Sequence, residues 1–179
     1  MDVVSAALSA KGRRRGHRPW LGVVVLASLC AACGSQPLEG ARPTARDLAN
    51  AVLLGFERSD AATLQSLVIS EREFREHIWP ELPASRPERN LPFSYVWDEL
   101  RQKSEHSLGR LLTQHEPGSL EVVRVEYAGR TTHYATFAVH RDTVLVVRDR
   151  SGAERRLRLY GSTLEKDGAF KVFSYVVEN

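Results

Sequence analysis

Cysteine is nearly absent. The 179 residues include two, Cys30 and Cys33, both near the amino terminus. Nothing after residue 33 offers a thiol, so neither a disulfide framework nor a cysteine-ligated metal can be built there. The HExxH, Walker, GxSxG and GxGxxG patterns are missing too. That removes the sequence signatures of zinc proteases, P-loop enzymes, serine hydrolases and dinucleotide binders. No apolar run approaches the roughly 20 residues that cross a bilayer; the one at residues 20–32 spans 13. A one-sided charge is also lacking. The formal net charge of +3 comes from the amino-terminal basics Lys11, Arg13, Arg14, Arg15 and Arg18. Without residues 1–32, 20 Lys and Arg face 21 Asp and Glu, which leaves no electrostatic footprint for nucleic acid.

What is present begins with that same terminus. A basic stretch through Arg18 precedes the apolar run, which closes on Ala31 and Ala32 ahead of Cys33. This is the layout of a secretory signal peptide over residues 1–32, and its basic flank favours the cytoplasmic side. A redox or metal reading of C-A-A-C would need a folded strand–helix junction, whereas here it ends a targeting segment. The remaining alternatives are an uncleaved anchor and a plain signal peptide.

Residues 29–33 read L-C-A-A-C, and here the chain resembles bacterial lipoprotein precursors, whose lipobox runs Leu, a small residue, Ala or Gly, Cys. Cys30 occupies the usual Leu position, with Leu29 one place further back. The resemblance implies thioether lipidation of Cys33, cleavage after Ala32 and acylation of the new terminus, with Cys30 discarded. The acyl chains would make the membrane a partner, each buried methylene contributing ~0.8 kcal/mol. Gly34, rather than Asp, follows Cys33; by the same resemblance the protein is expected on the outer membrane, facing the periplasm.

Residues 33–43 are read as the lipidated cysteine and a linker rich in turn formers, and 44–179 as one α+β domain. Thr44 and Asp47 form a capping pair ahead of Leu48, Val52, Leu53 and Phe56 at helical spacing. Asp60 caps a short stretch carrying Leu64 and Leu67. Ser70 and Glu73 make a capping box before Phe74 and Ile78, and Pro80 stops that segment. Residues 80–92 hold four of the eight prolines and are expected as an extended surface loop. A third helix is predicted over about 94–115, with Val96, Leu100, Leu108, Leu111 and Leu112 on its apolar face. The period then changes to two, predicting strands at 120–127, 131–140, 143–149, 154–164 and 169–177.

The expected class is therefore α+β, three helical segments packed on a curved antiparallel sheet of about five strands. This order, with the closing D-G-A-F-K-V-F-S-Y-V strand, resembles the nuclear transport factor two-like superfamily, also called SnoaL-like or cystatin-like. The resemblance covers residues 44–179 and implies a cone-like roll with an interior pocket.

Candidate chemistry is sparse. The six histidines are scattered, so no metal site and no cofactor is expected. His133 and His140 are read on one strand at odd spacing, facing opposite sides. His133 shares its face with Phe137 and sits at the rim of the roll, with Tyr127 on the next strand. The superfamily resemblance would allow proton transfer there, although a histidine or tyrosine in a sheet is more commonly a hydrogen-bonded packing residue. Trp79 and Trp97 flank the proline-rich loop, either packing it down or stacking on a ligand. Arg156 and Arg158 are placed on one strand face, with Arg148 or Lys171 across from them; this is either a solvated, edge-protecting face or a surface for an anionic partner. The reading is a lipid-anchored envelope protein whose domain binds a small ligand or an envelope protein without catalysis. The alternatives are a cofactor-independent isomerase or cyclase and an accessory subunit of an envelope complex.

Overall fold

The computed structural model describes residues 37–114 and 118–176. The expected signal peptide of residues 1–32, the lipidation candidate Cys33, Cys30 and His115 lie outside the described residues.

Helix α1 spans Ala45–Glu57. The Thr44 hydroxyl accepts from the Asp47 amide at 3.0 Å and donates to the Asp47 carboxylate at 2.7 Å. A cap of this kind is worth about 1 kcal/mol. Its apolar face, Leu48, Val52, Leu53 and Phe56, is buried. Asp60 caps α2 (Ala61–Ser66), which crosses so close to α1 that a Cβ on Gly55 would meet the Leu64 side chain at 2.7 Å. The Ser70–Glu73 capping box opens α3 (Glu71–Glu73). A wider π turn, Phe74–Ile78, continues it.

The proline-rich stretch is not extended. It folds into three successive 3-10 turns, Trp79–Glu81, Pro83–Ser85 and Pro87–Arg89, each with a proline in its first positions. There the fixed φ fits the turn and the missing N–H would have gone unpaired. Helix α4 then runs Phe93–Gln114.

Seven strands follow among the described residues, not five: β1 (Glu121–Tyr127), β2 (Thr131–His133), β3 (Phe137–Arg141), β4 (Thr143–Arg148), β5 (Glu154–Leu157), β6 (Ser162–Lys166) and β7 (Ala169–Ser174). They form two antiparallel sheets, ordered β1-β4-β5 and β2-β3-β6-β7. One extra strand arises because residues 134–136 turn the expected 131–140 strand back on itself as the β2–β3 hairpin. The other arises because the expected 154–164 strand bends at residues 158–161, where the long strands pass from one sheet to the other. Backbone hydrogen bonds still cross the bends: Ala128 N to Asp142 O at 2.9 Å, Thr143 N to Gly161 O at 3.0 Å and Gly161 N to Ser174 O at 3.0 Å. Asp142 takes φ +56 at one bend, and the Asp167-Gly168 pair, φ +52 and +74, makes the β6–β7 hairpin turn as Asp-Gly favours.

Two apolar clusters hold the layers together. One joins α1, α2 and the carboxy-terminal half of α4 to Val122, Leu145, Val147, Tyr160 and Val172. The other gathers Leu38, Ile69, Phe74, Ile78, Trp97, Phe137, Val139 and Leu164. Leu38 corrects the expected linker boundary: the folded body starts before residue 44. Arg42 exchanges both backbone hydrogen bonds with Phe170, at 2.8 and 2.7 Å.

Candidate functional site

A partly open hollow lies between α4 and β7. Trp97, Leu100, Ser104 and Leu108 follow one another at three- and four-residue intervals, so they share one helix face. Phe173 and Tyr175 face them, and Val68 and Ile69 close the end. Its volume is about 190 Å³. A second hollow of about 400 Å³ shares Leu100 and Phe173 with it and extends toward Arg141, Ser162 and Ser174. Two hydrogen bonds fix the wall. The Tyr175 amide donates to Ser104 Oγ at 3.0 Å, and the Tyr175 hydroxyl donates to the Leu64 carbonyl at 2.9 Å. Burial, with Tyr160 nearby, pushes that hydroxyl far above the usual phenol range, so it stays neutral. Arg101 sits at the rim against Glu105 at 3.1 Å. Such a lining suits a small, mainly apolar molecule.

Of the two tryptophans, Trp97 belongs to this wall. Trp79 does not; it joins an aromatic cluster centred on Phe74, whose ring lies 5.4 Å from Trp97, 6.4 Å from Trp79 and 5.9 Å from Phe93. Glu81 pins the proline-rich turns to the β2–β3 turn. Its carboxylate accepts from Ala135 N at 2.5 Å and from the Thr136 hydroxyl at 2.5 Å. Burial acts to raise its pKa, but the hydrogen bonds from Thr136 and Ala135 outweigh it and hold the group below the usual carboxylate range.

His133 is not where its spacing placed it. Residues 134–136 turn, with Tyr134 N donating to Phe137 O at 2.8 Å. His133 therefore shares no strand with Phe137 and is exposed on β2. It also shares no strand with His140. Register pairs His133 with Ala138 and Thr131 with His140, which puts both histidines on the same sheet face.

Tyr127 stacks instead on His140, ring centroids 4.3 Å apart at 14°. The His140 ring nitrogens meet Thr131 Oγ1 at 2.9 Å and Glu165 Oε2 at 2.8 Å. Burial raises the Tyr127 hydroxyl above the usual phenol range, and the nearby Thr163 hydroxyl offsets part of that. Its oxygen is buried without hydrogen-bond geometry to any described residue. Spacing placed His140 on one strand with His133, and both Glu165 and its contact with His140 were missed in the sequence. Their link is cross-strand pairing, which alternation within one strand does not reveal. With both ring nitrogens engaged, His140 is held as a packing residue.

The arginines are neutralised by neighbours. Arg156 on β5 meets Glu126 at 2.6 Å, while Arg124 meets the same carboxylate at 2.7 Å and Arg148 meets Glu154 at 2.6 Å. Arg158 lies beyond the end of β5 and pairs with Asp142 at the sheet bend, so it does not share a strand with Arg156. Lys171 is not across from either; it is buried in the other sheet against Glu73.

Among the described residues no three His, Cys, Asp or Glu side chains form a metal-binding group, and no helix is long and apolar enough to cross a membrane. No family model matches the chain, and neither a curated protein nor a solved structure matches it.

Proposed function

We propose that this protein is a lipid-anchored component of a bacterial cell envelope, held by acyl chains on Cys33 at the periplasmic face of the outer membrane. Its α+β domain binds a small, largely apolar ligand without converting it. The two sheets are then the halves of one bent meander, and the hollow under α4 is the interior of a roll like that of the nuclear transport factor two-like superfamily. The observation that carries the anchoring is the L-C-A-A-C sequence at the end of a short apolar run. The binding role is supported by the hollow walled by Trp97, Leu100 and Phe173.

Membrane-purified protein titrated with 1-anilinonaphthalene-8-sulfonate tests the binding role. Saturable dye fluorescence with energy transfer from tryptophan is expected, and its loss in Leu100→Trp, which narrows both hollows, with an unchanged melting temperature. Dye binding unaffected by Leu100→Trp, or absent from the native protein, would contradict a ligand site under α4.

A further inference from the structure

Little chain separates Cys33 from the folded body. Leu38 is 6% exposed within an apolar cluster. The Glu39 amide donates to Glu73 Oε1 at 2.7 Å. Gly40, at φ +70, lies so close to α2 that a Cβ would meet the Ser66 carbonyl at 3.2 Å. Arg42 is then zipped to Phe170 by two backbone hydrogen bonds. Residues 38–42 are therefore part of the domain rather than a spacer. Cys33 precedes Leu38 by five positions, and a fully extended chain of that length reaches at most about 18 Å.

On the lipoprotein reading, on which this inference rests, we propose that the domain does not hang free of the membrane. One face, formed by residues 38–42, α3 and the β6–β7 turn, is held against the lipid headgroups. The exposed charges there are mixed: Glu39 lies 3.8 Å from Arg72, and Glu71 lies 2.7 Å from Arg75. The short tether, not charge attraction, sets the orientation, so added salt does not change it. The β4–β5 turn at residues 149–153 sits at the other end of the same bent strand pair and is turned toward the periplasm.

The chain after Cys33 has no other cysteine, so single thiols can be placed for labelling. Arg72→Cys marks the near face and Ser151→Cys the far turn. Each lipidated protein carries a donor dye and is reconstituted into phosphatidylethanolamine–phosphatidylglycerol vesicles with a headgroup-linked acceptor. Stronger energy transfer is expected from Arg72→Cys than from Ser151→Cys. The difference should survive high salt and disappear when a long Gly-Ser stretch is inserted between Gln36 and Pro37. Equal transfer from the two sites, on chains whose intact mass shows acylation, overturns the orientation. A mass without acylation overturns the lipoprotein reading itself.

Discussion

Lys171 and Glu73 meet as an ion pair closed off from water. The Lys171 ammonium lies 2.7 and 2.9 Å from the two carboxylate oxygens, with side-chain exposures of 2% and 4%. Glu73 also accepts from Ser70 N and Oγ and from Glu39 N. One carboxylate thus joins the α3 cap, the start of the folded chain and β7.

Breaking that pair one side at a time leaves a buried charge without its counterpart. Glu73→Gln or Lys171→Met is expected to lower unfolding stability by about 3–5 kcal/mol, read from urea midpoints. The double variant Glu73→Gln/Lys171→Met should recover part of that loss. Burial acts to raise the Glu73 pKa, but the hydrogen bonds from Lys171 and Ser70 outweigh it, and the folded value falls below the usual 4.5. A folded pKa below the unfolded one contributes stability above about pH 4.5 that is lost as pH falls further. The Glu73→Gln variant should show a shallower acid loss than the native chain.

The bend between the two sheets depends on a missing side chain. A Cβ on Gly129 would run into the Asp142 carboxylate and come within 2.9 Å of Arg141 Cβ. Gly129→Ala is expected to cost about 1–3 kcal/mol by overpacking. Adding Asp142→Gly should return part of it, because the two sites share one contact. Fully additive losses in thermal melts would contradict this account of the bend.

Removing the buried hydroxyl of Tyr127 tests the layer between the sheets. The nearby Thr163 hydroxyl already pairs with Thr143 at 3.0 Å, so Tyr127→Phe gives up no direct hydrogen bond to a described residue. Stability should hold or rise by about 1 kcal/mol, and the stack on His140 should survive. A drop of that size would instead point to a buried water bridging the hydroxyl.

The Glu81 clamp is local and should fail locally. Glu81→Gln is expected to speed amide hydrogen exchange at Ala135 and Thr136 while leaving α1 and β7 protected. Because the folded pKa lies below the usual 4.5, the native chain should show the same loosening only as pH falls below about 4.5. Unchanged exchange at Ala135 and Thr136 would remove Glu81 as the clamp.

The helical half was legible where chemistry is local. Thr44, Asp60 and Ser70 announce their caps within three residues, and the apolar spacing of α1 and α4 is regular. The sheets were less so. Residues 131–137, T-T-H-Y-A-T-F, turn without a glycine or proline, and alternation carried through them misassigned the face of His133. Gly161 marks the bend in 154–164, but the strand-forming residues around it read as one strand. Lys171 looks like an outward-facing charge. Its burial depends on Glu73, 98 positions earlier, and no window of sequence holds both.

The intact mass of the protein purified from membranes, beside its Cys33→Ser variant, tests the anchoring most directly. The account predicts a native chain that begins at Cys33 and carries acyl mass, and a variant that lacks that mass and leaves the membrane fraction. A native chain that retains both Cys30 and Cys33 as unmodified thiols would contradict it.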